Sequence, residues 1–193
     1  MLKGRSVTVR PVLEADLEFL QERIQDVESR GPWYPTPRES LVKFRKRFEE
    51  GGLWGSDAGL FVIVVDGRIV GQVSWGLLNS DIPDMELGYR VYAPEDRGKG
   101  YGTEALVLMT RYLFDTEPMN RASLVIHVDN IGSQRLAEKA GFLREVRARE
   151  SWQHLGIWHD MYIYNVTRRE FDERWPRTAS AAVAGDKTDQ RTE

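Results

Sequence analysis

The chain has 193 residues, which suits one domain with a single core, and its 41% hydrophobic and 30% charged residues are those of an ordinary soluble globule. A net charge of −3 gives no general argument for binding nucleic acid or an anionic membrane. Cysteine is absent, which excludes disulfides, thiolate metal sites and a cysteine nucleophile. With no secretory signal and no membrane-spanning run, we expect a cytoplasmic protein.

The first part of the chain predicts one strand and two amphipathic helices. Alternating valines predict a strand over residues 6–12, and apolar residues at helical spacing predict a helix over residues 14–27. A stiff loop rich in proline, over residues 31–37, leads into a second helix over residues 38–50.

The middle of the chain predicts three consecutive strands and then a helix. A continuous apolar strand over residues 60–65 is joined by an Asp-Gly turn to a partner over residues 68–78. Residues 85–93 predict the third strand, and residues 100–115 predict the helix.

The last part predicts a strand, a short helix, a hairpin and one or two helical turns. These elements cover residues 122–129, 133–139, 142–152 with 157–167, and 168–175. From residue 177 onward the small polar residues cannot bury enough surface to order themselves. We therefore expect one domain over residues 1–176 and a disordered tail over residues 177–193.

The order of these elements predicts an α/β fold. A helical connection from the third consecutive strand to the next implies one parallel pair inside a mostly antiparallel sheet. We expect about seven strands and about four flanking helices. A sheet of this kind can splay at its parallel pair and admit a linear cofactor.

Three glycines alternate where the strand over residues 85–93 gives way to the next helix, in the segment Arg97-Gly98-Lys99-Gly100-Tyr101-Gly102. Alternating glycines let the backbone fold tightly and turn its N–H groups toward the positive end of the helix, where phosphate binds. The segment fits neither the P-loop nor the Gly-x-Gly-x-x-Gly dinucleotide fingerprint. A cofactor that carries a pyrophosphate is the first inference.

The Arg-x-x-Gly-x-Gly pattern, placed between a strand and a helix, resembles the acetyl-CoA loop of the GNAT superfamily of N-acetyltransferases. The order of elements over residues 5–168 also resembles the GNAT fold. The resemblance implies acetyl-CoA as co-substrate, with its pyrophosphate on the loop and its pantetheine arm along the preceding strand. The residues that it implies in binding are Arg90, Val91, Tyr92, Arg97, Gly98, Lys99, Gly100, Tyr101, Gly102 and Thr103.

A second segment, Asn-x-x-Ser-x-x-Leu leading into Gly-Phe over residues 130–142, is similar to the RimJ/RimL-like branch of the superfamily. Asn130 suits the N-cap of the short helix, and the resemblance implies that it also contacts the pantetheine arm. Ala137 stands where many members carry a tyrosine general acid. RimL-like members use a serine at the position of Ser133, which is therefore implied as general acid and cofactor contact. The alternative acids are Tyr162 and Tyr164.

Acetyl transfer to an amine also needs a base, because a primary amine is almost wholly protonated at neutral pH. Glu86 lies eleven residues before Arg97, the offset at which histone-acetylating members carry their base, so the resemblance implies Glu86 in this role. The alternative is a strand glutamate that pairs with Arg90 or another cation. His127 is a further candidate base or acid, or simply a packed strand residue.

Three aromatic residues, Trp33, Tyr34 and Trp54, lie in connections rich in glycine and proline, where packing into a core is less automatic. With Asp84 and Glu86 nearby in sequence, they predict a partly acidic, aromatic pocket for a cationic amine.

We therefore predict an acetyl-CoA-dependent N-acetyltransferase that modifies a primary amine, on a protein N-terminus or a small molecule. Direct attack in a ternary complex is expected, since no cysteine can carry the acyl group. The alternative is a non-catalytic CoA-binding sensor. We expect no metal, nucleic acid or membrane partner. The sequence leaves open whether the protein forms a homodimer.

Overall fold

The computed structural model of the protein describes residues 1–26, 32–34, 40–78 and 84–177. The predicted disordered tail lies outside the described residues from residue 178 onward. The predicted end of the first helix, at residue 27, and the predicted start of the second, at residue 38, lie outside them as well.

A mixed sheet of eight strands forms the centre of the described part of the chain. The strands are β1 (Leu2–Lys3), β2 (Thr8–Pro11), β3 (Ala58–Val65), β4 (Arg68–Leu77), β5 (Asp84–Val91), β6 (Arg121–His127), β7 (Leu143–His154) and β8 (Ile157–Thr167). Their order across the sheet is β1-β2-β3-β4-β5-β6-β8-β7, and only β5 and β6 run parallel. The predicted parallel pair is confirmed. The additional strand is β1, which is too short to show a pattern in the sequence.

Five α-helices flank the sheet within the described ranges. They are α1 (Leu17–Gln25), α2 (Leu41–Gly51), α3 (Tyr101–Thr116), α4 (Ile131–Ala140) and α5 (Arg168–Arg174). The Ser40 hydroxyl accepts a hydrogen bond from the N–H of Lys43 and so caps α2, and left-handed glycines end α2 and α4. None of the described helices is both long enough and apolar enough to cross a bilayer.

The two faces of the sheet carry separate cores. Leu106 and Met109 of α3 and Phe171 of α5 are fully buried on one face. Leu20 of α1 and Phe44 of α2 are buried on the other. We call the latter the acceptor face, and the side chains of β5 alternate between the two faces.

The start of α5 is fastened to the end of α3. Thr167 and Glu170 form a capping box at the start of α5. Arg168, which follows Thr167, donates hydrogen bonds to the carbonyl oxygens of Phe114, Glu117 and Met119. These carbonyls lie at and beyond the carboxyl end of α3, where a cation is favourable.

The parallel pair separates soon after it begins. Its ladder pairs Asp84 with Arg121, Met85 with Ala122 and Glu86 with Ser123, and goes no further. Yet β5 continues to Val91 and β6 to His127. We call the opening between the two strands beyond Glu86 the splay, and it is the channel that the sequence predicts for a linear cofactor.

Candidate active site

The glycine-rich segment adopts the tight turn that its sequence predicts. Gly98 and Gly100 have φ angles of 77° and 89°, in the left-handed region where a side chain is strained. Gly102 meets a different constraint, because a Cβ on it would lie 2.8 Å from Cδ1 of Leu136 in α4. Two glycines therefore shape the turn, and the third lets α3 approach α4 closely.

Residues 98–103, called the phosphate loop below, have N–H groups at the start of α3 that no residue in the described ranges pairs with. By ordinary hydrogen-bond geometry, no described residue accepts a hydrogen bond from any of them. The positive end of the helix dipole adds to their attraction for an anion. The loop is a backbone cradle that fits a diphosphate.

The cationic side chains beside the phosphate loop are held by the protein itself. Arg97 donates to the carbonyl oxygens of Val91 and Tyr92 at 3.3 and 2.9 Å, so its guanidinium fastens the loop to the end of β5. The Lys99 ammonium lies 3.7 Å from the carboxylate of Asp96, with half of the lysine side chain exposed. Both Arg97 and Lys99 remain exposed to solvent.

A buried aspartate organises this corner, and the sequence analysis missed it. Asp96 accepts two hydrogen bonds from the guanidinium of Arg68, at 2.8 and 2.9 Å. These bonds hold the pKa of Asp96 below its ordinary value. Arg68 precedes Asp96 by 28 residues, so no local pattern in the sequence links them.

The backbone of β5 presents alternate residues to β4 and to the splay. The N–H of Tyr92 donates to the carbonyl of Val70 at 3.0 Å, so Tyr92 is directed toward β4. By the alternation of an antiparallel ladder, Arg90 shares that direction and Val91 faces the splay. The sequence predicts that Arg90, Val91 and Tyr92 bind the pantetheine arm. Of these three residues, Val91 is the one whose N–H group faces the splay.

Glu86 occupies the last paired position of β5 before the splay, beside Ser123 of β6. The side chain of Glu86 is half-buried, and no described residue forms an ion pair with it. The alternative role, pairing with Arg90 or another cation, is therefore not found among the described residues. Burial and, second, the charge of Asp84 raise the pKa of Glu86 above its ordinary value. A carboxylate tuned upward in this way suits a general base near neutral pH.

Asp84, predicted in the acceptor pocket, belongs to a buried polar network. Its carboxylate accepts hydrogen bonds from Arg121 at 2.9 and 2.6 Å and from the hydroxyl of Ser123 at 3.0 Å. The network joins the beginnings of β5 and β6 just before they part. Its contribution to the site is the negative charge that it places near Glu86.

The start of α4 brings two predicted residues together with one that the sequence analysis missed. The side chain of Asn130 accepts from the N–H of Ser133 at 3.1 Å, which confirms its N-cap role. The hydroxyl of Ser133 is hydrogen-bonded to the phenol of Tyr89 on β5, and the phenol also lies 3.2 Å from the Ser133 carbonyl oxygen. This contact joins α4 to β5 across the splay.

Trp33 lies over the imidazole of His127, with 4.2 Å between the ring centroids. Nδ1 of His127 accepts from the N–H of Asp129 at 3.0 Å, so its proton is assigned to Nε2, which donates to Nδ1 of His159 at 3.0 Å. Burial and, second, His159 lower the pKa of His127, which keeps it neutral at pH 7. His127 lies four residues beyond Ser123, or about 13 Å along β6, which places it away from Glu86.

Tyr34 and Trp54 lie elsewhere, in the wall of a cavity of about 650 Å³ beside α2 and strands β3 and β4. The side-chain amide of Gln72 donates to the Tyr34 hydroxyl at 3.1 Å, and its carbonyl accepts from Tyr92 at 2.7 Å. The rest of the wall is largely apolar, and includes Ile24, Leu41, Phe44, Leu53 and Leu60.

The cavity comes close to Glu86. Ser74 is part of its wall, and a Cβ on Gly88 would lie 3.0 Å from the Ser74 hydroxyl oxygen. Gly88 shares the acceptor face with Glu86, about 6.6 Å away along β5. Tyr34 is thus placed to contact a molecule that reaches Glu86.

Trp54 is part of the wall, but its ring packs on Phe61 and Tyr112 of the other face of the sheet, with 5.1 and 6.1 Å between the ring centroids. Trp33 and Asp84 are not part of this wall.

In the described ranges, no three or more His, Asp or Glu side chains converge in a way that could hold a metal ion. The site combines three features: the phosphate loop, the splay between β5 and β6, and the half-buried carboxylate of Glu86 at the inner end of the splay. Together they define a transferase that works on a long, phosphorylated acyl carrier.

Comparison with known proteins identifies the family. Residues 6–143 match the family model described as the acetyltransferase (GNAT) domain, and the chain belongs to this family of N-acetyltransferases. A relative from Bacillus subtilis, named as the probable N-acetyltransferase YjcK, is 30% identical over 178 residues, which cover 86% of this chain and 96% of the relative. The superfamily resemblance drawn from the sequence is confirmed.

Two solved structures show the same fold. Spermidine N-acetyltransferase from Vibrio cholerae, in complex with CoA and spermine, superposes with a TM-score of 0.76 over 87% of this chain and 99% of its own, at 20% identity. RimL, a ribosomal α-N-protein acetyltransferase in complex with coenzyme A, has a TM-score of 0.71 over 85% and 95%, at 16% identity.

Proposed function

We propose that the protein moves the acetyl group of acetyl-CoA to a primary amine in the cytoplasm, by direct attack in a ternary complex, through a catalytic domain over residues 1–176. One observation carries the proposal. Glu86, desolvated and without an ion pair among the described residues, stands at the inner end of the splay, and the phosphate loop lies at the outer end. The CoA complexes of the two structural neighbours support the choice of carrier.

The residues have distinct roles in this reaction. The N–H groups of the phosphate loop and of Val91 hold the carrier, and Asn130 positions the start of α4 beside it. Glu86 removes a proton from the acceptor ammonium, since only the neutral amine is nucleophilic. Ser133 gives a proton to the departing thiolate.

The acceptor that the cavity fits best is an amine with one positive charge and an apolar body, such as the N-terminal residue of a polypeptide. Glu50 and Arg47 are the only charged side chains in the described wall, and their charges are opposite. A polyamine carries several positive charges and would require several carboxylates. An apolar body beside the amine would instead pack on Phe44, Leu60 and their neighbours.

The test of the chemistry is release of free CoA thiol from acetyl-CoA with a panel of amines. We expect turnover with at least one acceptor, and a fall of about 100-fold in kcat for Glu86→Gln, with binding of CoA unchanged. Glu18→Gln, an exposed change on α1, serves as the matched control.

A binding module without catalysis gives a different result. Such a sensor would bind CoA tightly, and no amine in the panel would release thiol from acetyl-CoA. That outcome would overturn the proposed enzyme activity and leave the phosphate loop assignment intact.

The acceptor class is tested with matched amines. Tetrapeptides that differ only in their N-terminal residue are compared with spermidine at equal concentration. We expect higher kcat/KM for peptides with an apolar first residue. A preference for spermidine over all of them would contradict this part of the proposal.

A homodimer is the remaining part of the proposal. Ile157 and Trp158, near the tip of the β7–β8 hairpin, are each 61% exposed, and Leu155 beside them is 83% exposed. Apolar side chains grouped in this way favour an interface. Sedimentation velocity should show a dimer that Trp158→Glu dissociates, and a wild-type monomer would remove this part.

A further inference from the structure

One hydroxyl pair beside the splay includes a residue, Tyr89, that has no role in the reaction described so far. Tyr89 on β5 and Ser133 on α4 are separated by 44 residues, and their side-chain oxygens are hydrogen-bonded to each other. Either hydroxyl can be the donor. Only the serine of this pair was predicted from the sequence.

Tyr89 lies beside the start of α3, where the proposed acyl carrier would pass. A Cβ on Gly102 of the phosphate loop would lie 3.9 Å from the Tyr89 ring and 2.8 Å from Leu136 of α4. The ring therefore stands between the beginnings of α3 and α4. The backbone of Tyr89, like that of Val91, faces the splay by the register of β5.

The helix that bears Ser133 supplies no phenol of its own at this place. Ala137, one turn further along α4, is fully buried and cannot donate a proton. A serine alone is a poor proton donor, since an aliphatic alcohol is a much weaker acid than a thiol or a phenol. Its alkoxide would form only if another acid reprotonated it at once.

We propose that Tyr89 is the source of the proton that Ser133 delivers to the departing thiolate. Tyr89 acts through Ser133 and is in this sense a positioning and relay residue. The inference rests on the proposed acetyl transfer and adds the origin of one proton to it.

The step balances as follows. The bond between the amine nitrogen and the acetyl carbon forms, and the bond between that carbon and sulfur breaks with its electron pair on sulfur. The Ser133 hydroxyl proton moves to sulfur, and the Tyr89 proton moves to the Ser133 oxygen. The tyrosinate that remains takes a proton from water. The nitrogen loses two protons, the first to Glu86 and the second to water, and the thiolate gains one, so one proton is released per turnover.

The surroundings of Tyr89 keep its phenol protonated at neutral pH, and the same burial makes it a weaker acid than an exposed phenol. Burial raises its pKa to about 12, and the hydrogen bond from Ser133 opposes this rise. The other titratable group acting on it is the phenol of Tyr164 on β8, which raises the pKa further and itself lies 3.4 Å from Glu138 of α4. No charged residue among those described acts directly on the Tyr89 phenol.

The first test reads the hydrogen bond in the protein without any ligand. Fluorotyrosine is placed at position 89, and its pKa is followed by fluorine NMR with Ser133 intact and in Ser133→Ala. Because the serine hydroxyl stabilises the phenolate, we expect Ser133→Ala to raise that pKa. An unchanged pKa, or a titration like that of an exposed tyrosine, would overturn the proposal.

The second test reads proton donation during turnover with the best amine of the panel. Tyr89→Phe should lower kcat by about 100-fold with little change in the KM for acetyl-CoA. Ser133→Ala should cost about as much, and the double variant scarcely more than either, because the two residues act in one relay. Independent, multiplicative losses would contradict the relay.

A third variant separates chemistry from packing. Difluorotyrosine at position 89 keeps the ring and the hydrogen bond but is a stronger acid than tyrosine. The alkaline limb of the kcat profile should move to lower pH, which a purely structural tether would not produce. If Tyr89→Phe were as active as wild type, this inference alone would fail. If wild type released no thiol with any amine, the proposed function would fail, while the NMR result would still stand.

Discussion

The two sides of the splay are built from different material. The cofactor side is mostly backbone, with two glycines in left-handed geometry and six consecutive N–H groups that have no acceptor in the part of the chain that the structure describes. The acceptor face is mostly side chains, such as Tyr34, Phe44 and Gln72, from segments far apart in the chain. Backbone groups can bind the carrier that members of a family share. Side chains on the acceptor face can be substituted, which changes the acceptor, without disturbing the binding of the carrier. The predictions below test this division.

The largest effect is expected at Glu86, where the two sides meet. Its pKa is raised, and its deprotonated form is the base, so kcat/KM should rise with pH through a midpoint above that of an ordinary glutamate. Glu86→Gln should lose this acid limb together with about 100-fold in rate. The pH profile of both proteins checks this, and an identical limb in the variant would assign it to another group.

The next effect concerns the backbone side alone. Gly100→Ala forces a side chain into a left-handed residue, at a cost of about 1–2 kcal/mol. We expect an increase of about tenfold in the KM for acetyl-CoA, with the KM for the amine unchanged. Gly51→Ala is the matched control, since both positions have open space for a Cβ and only Gly100 has positive φ. Equal behaviour of the two variants would show that the loop geometry does not matter.

A smaller effect is expected on the side-chain side. Trp54→Ala removes a partly exposed ring at the border of the cavity, where it also packs on Phe61 and Tyr112, and contact with a ligand there is worth about 0.5–1.5 kcal/mol. The KM for the amine should rise several-fold while the KM for acetyl-CoA stays the same. Trp158→Ala, on the distant hairpin, is the comparison, and an equal loss there would argue against the cavity as the acceptor site.

The smallest effect lies at His127, under Trp33. Its folded pKa is lowered, so the unfolded chain takes up a proton more readily, and stability is complete above the unfolded value of about 6.5 and falls as the pH drops below it. The groups that act on it are His159, Asp129 and Asp160. Urea unfolding at pH 7.5 and 5.5 should show a larger loss for wild type than for His127→Gln; equal losses would exclude His127 as the cause.

The cofactor side could be predicted because its information is local. Strand, turn, glycines and helix start follow one another within residues 85–103, and the N-cap at Asn130 acts over three residues. The parallel pair followed from the order of elements. These features need no knowledge of distant contacts.

The rest depends on pairs that the chain brings together over long distances. Asp84 begins β5, two residues before Glu86, yet Arg121 and Ser123 draw its carboxylate into a network. Trp33 and Tyr34 are neighbours in sequence, but one covers His127 and the other meets Gln72. The tyrosine at position 89 gave no signal, because its partner is 44 residues away.

The contact of Arg168 with the end of α3 means that the two ends of this helix serve different purposes. The helix has 16 residues and is about 24 Å long, with the phosphate loop at one end and the guanidinium at the other. A chain that stopped at Thr167 would leave the carbonyls of Phe114, Glu117 and Met119 without this donor. Heat tolerance and affinity for CoA should then decline together, although the lost residues lie far from the carrier.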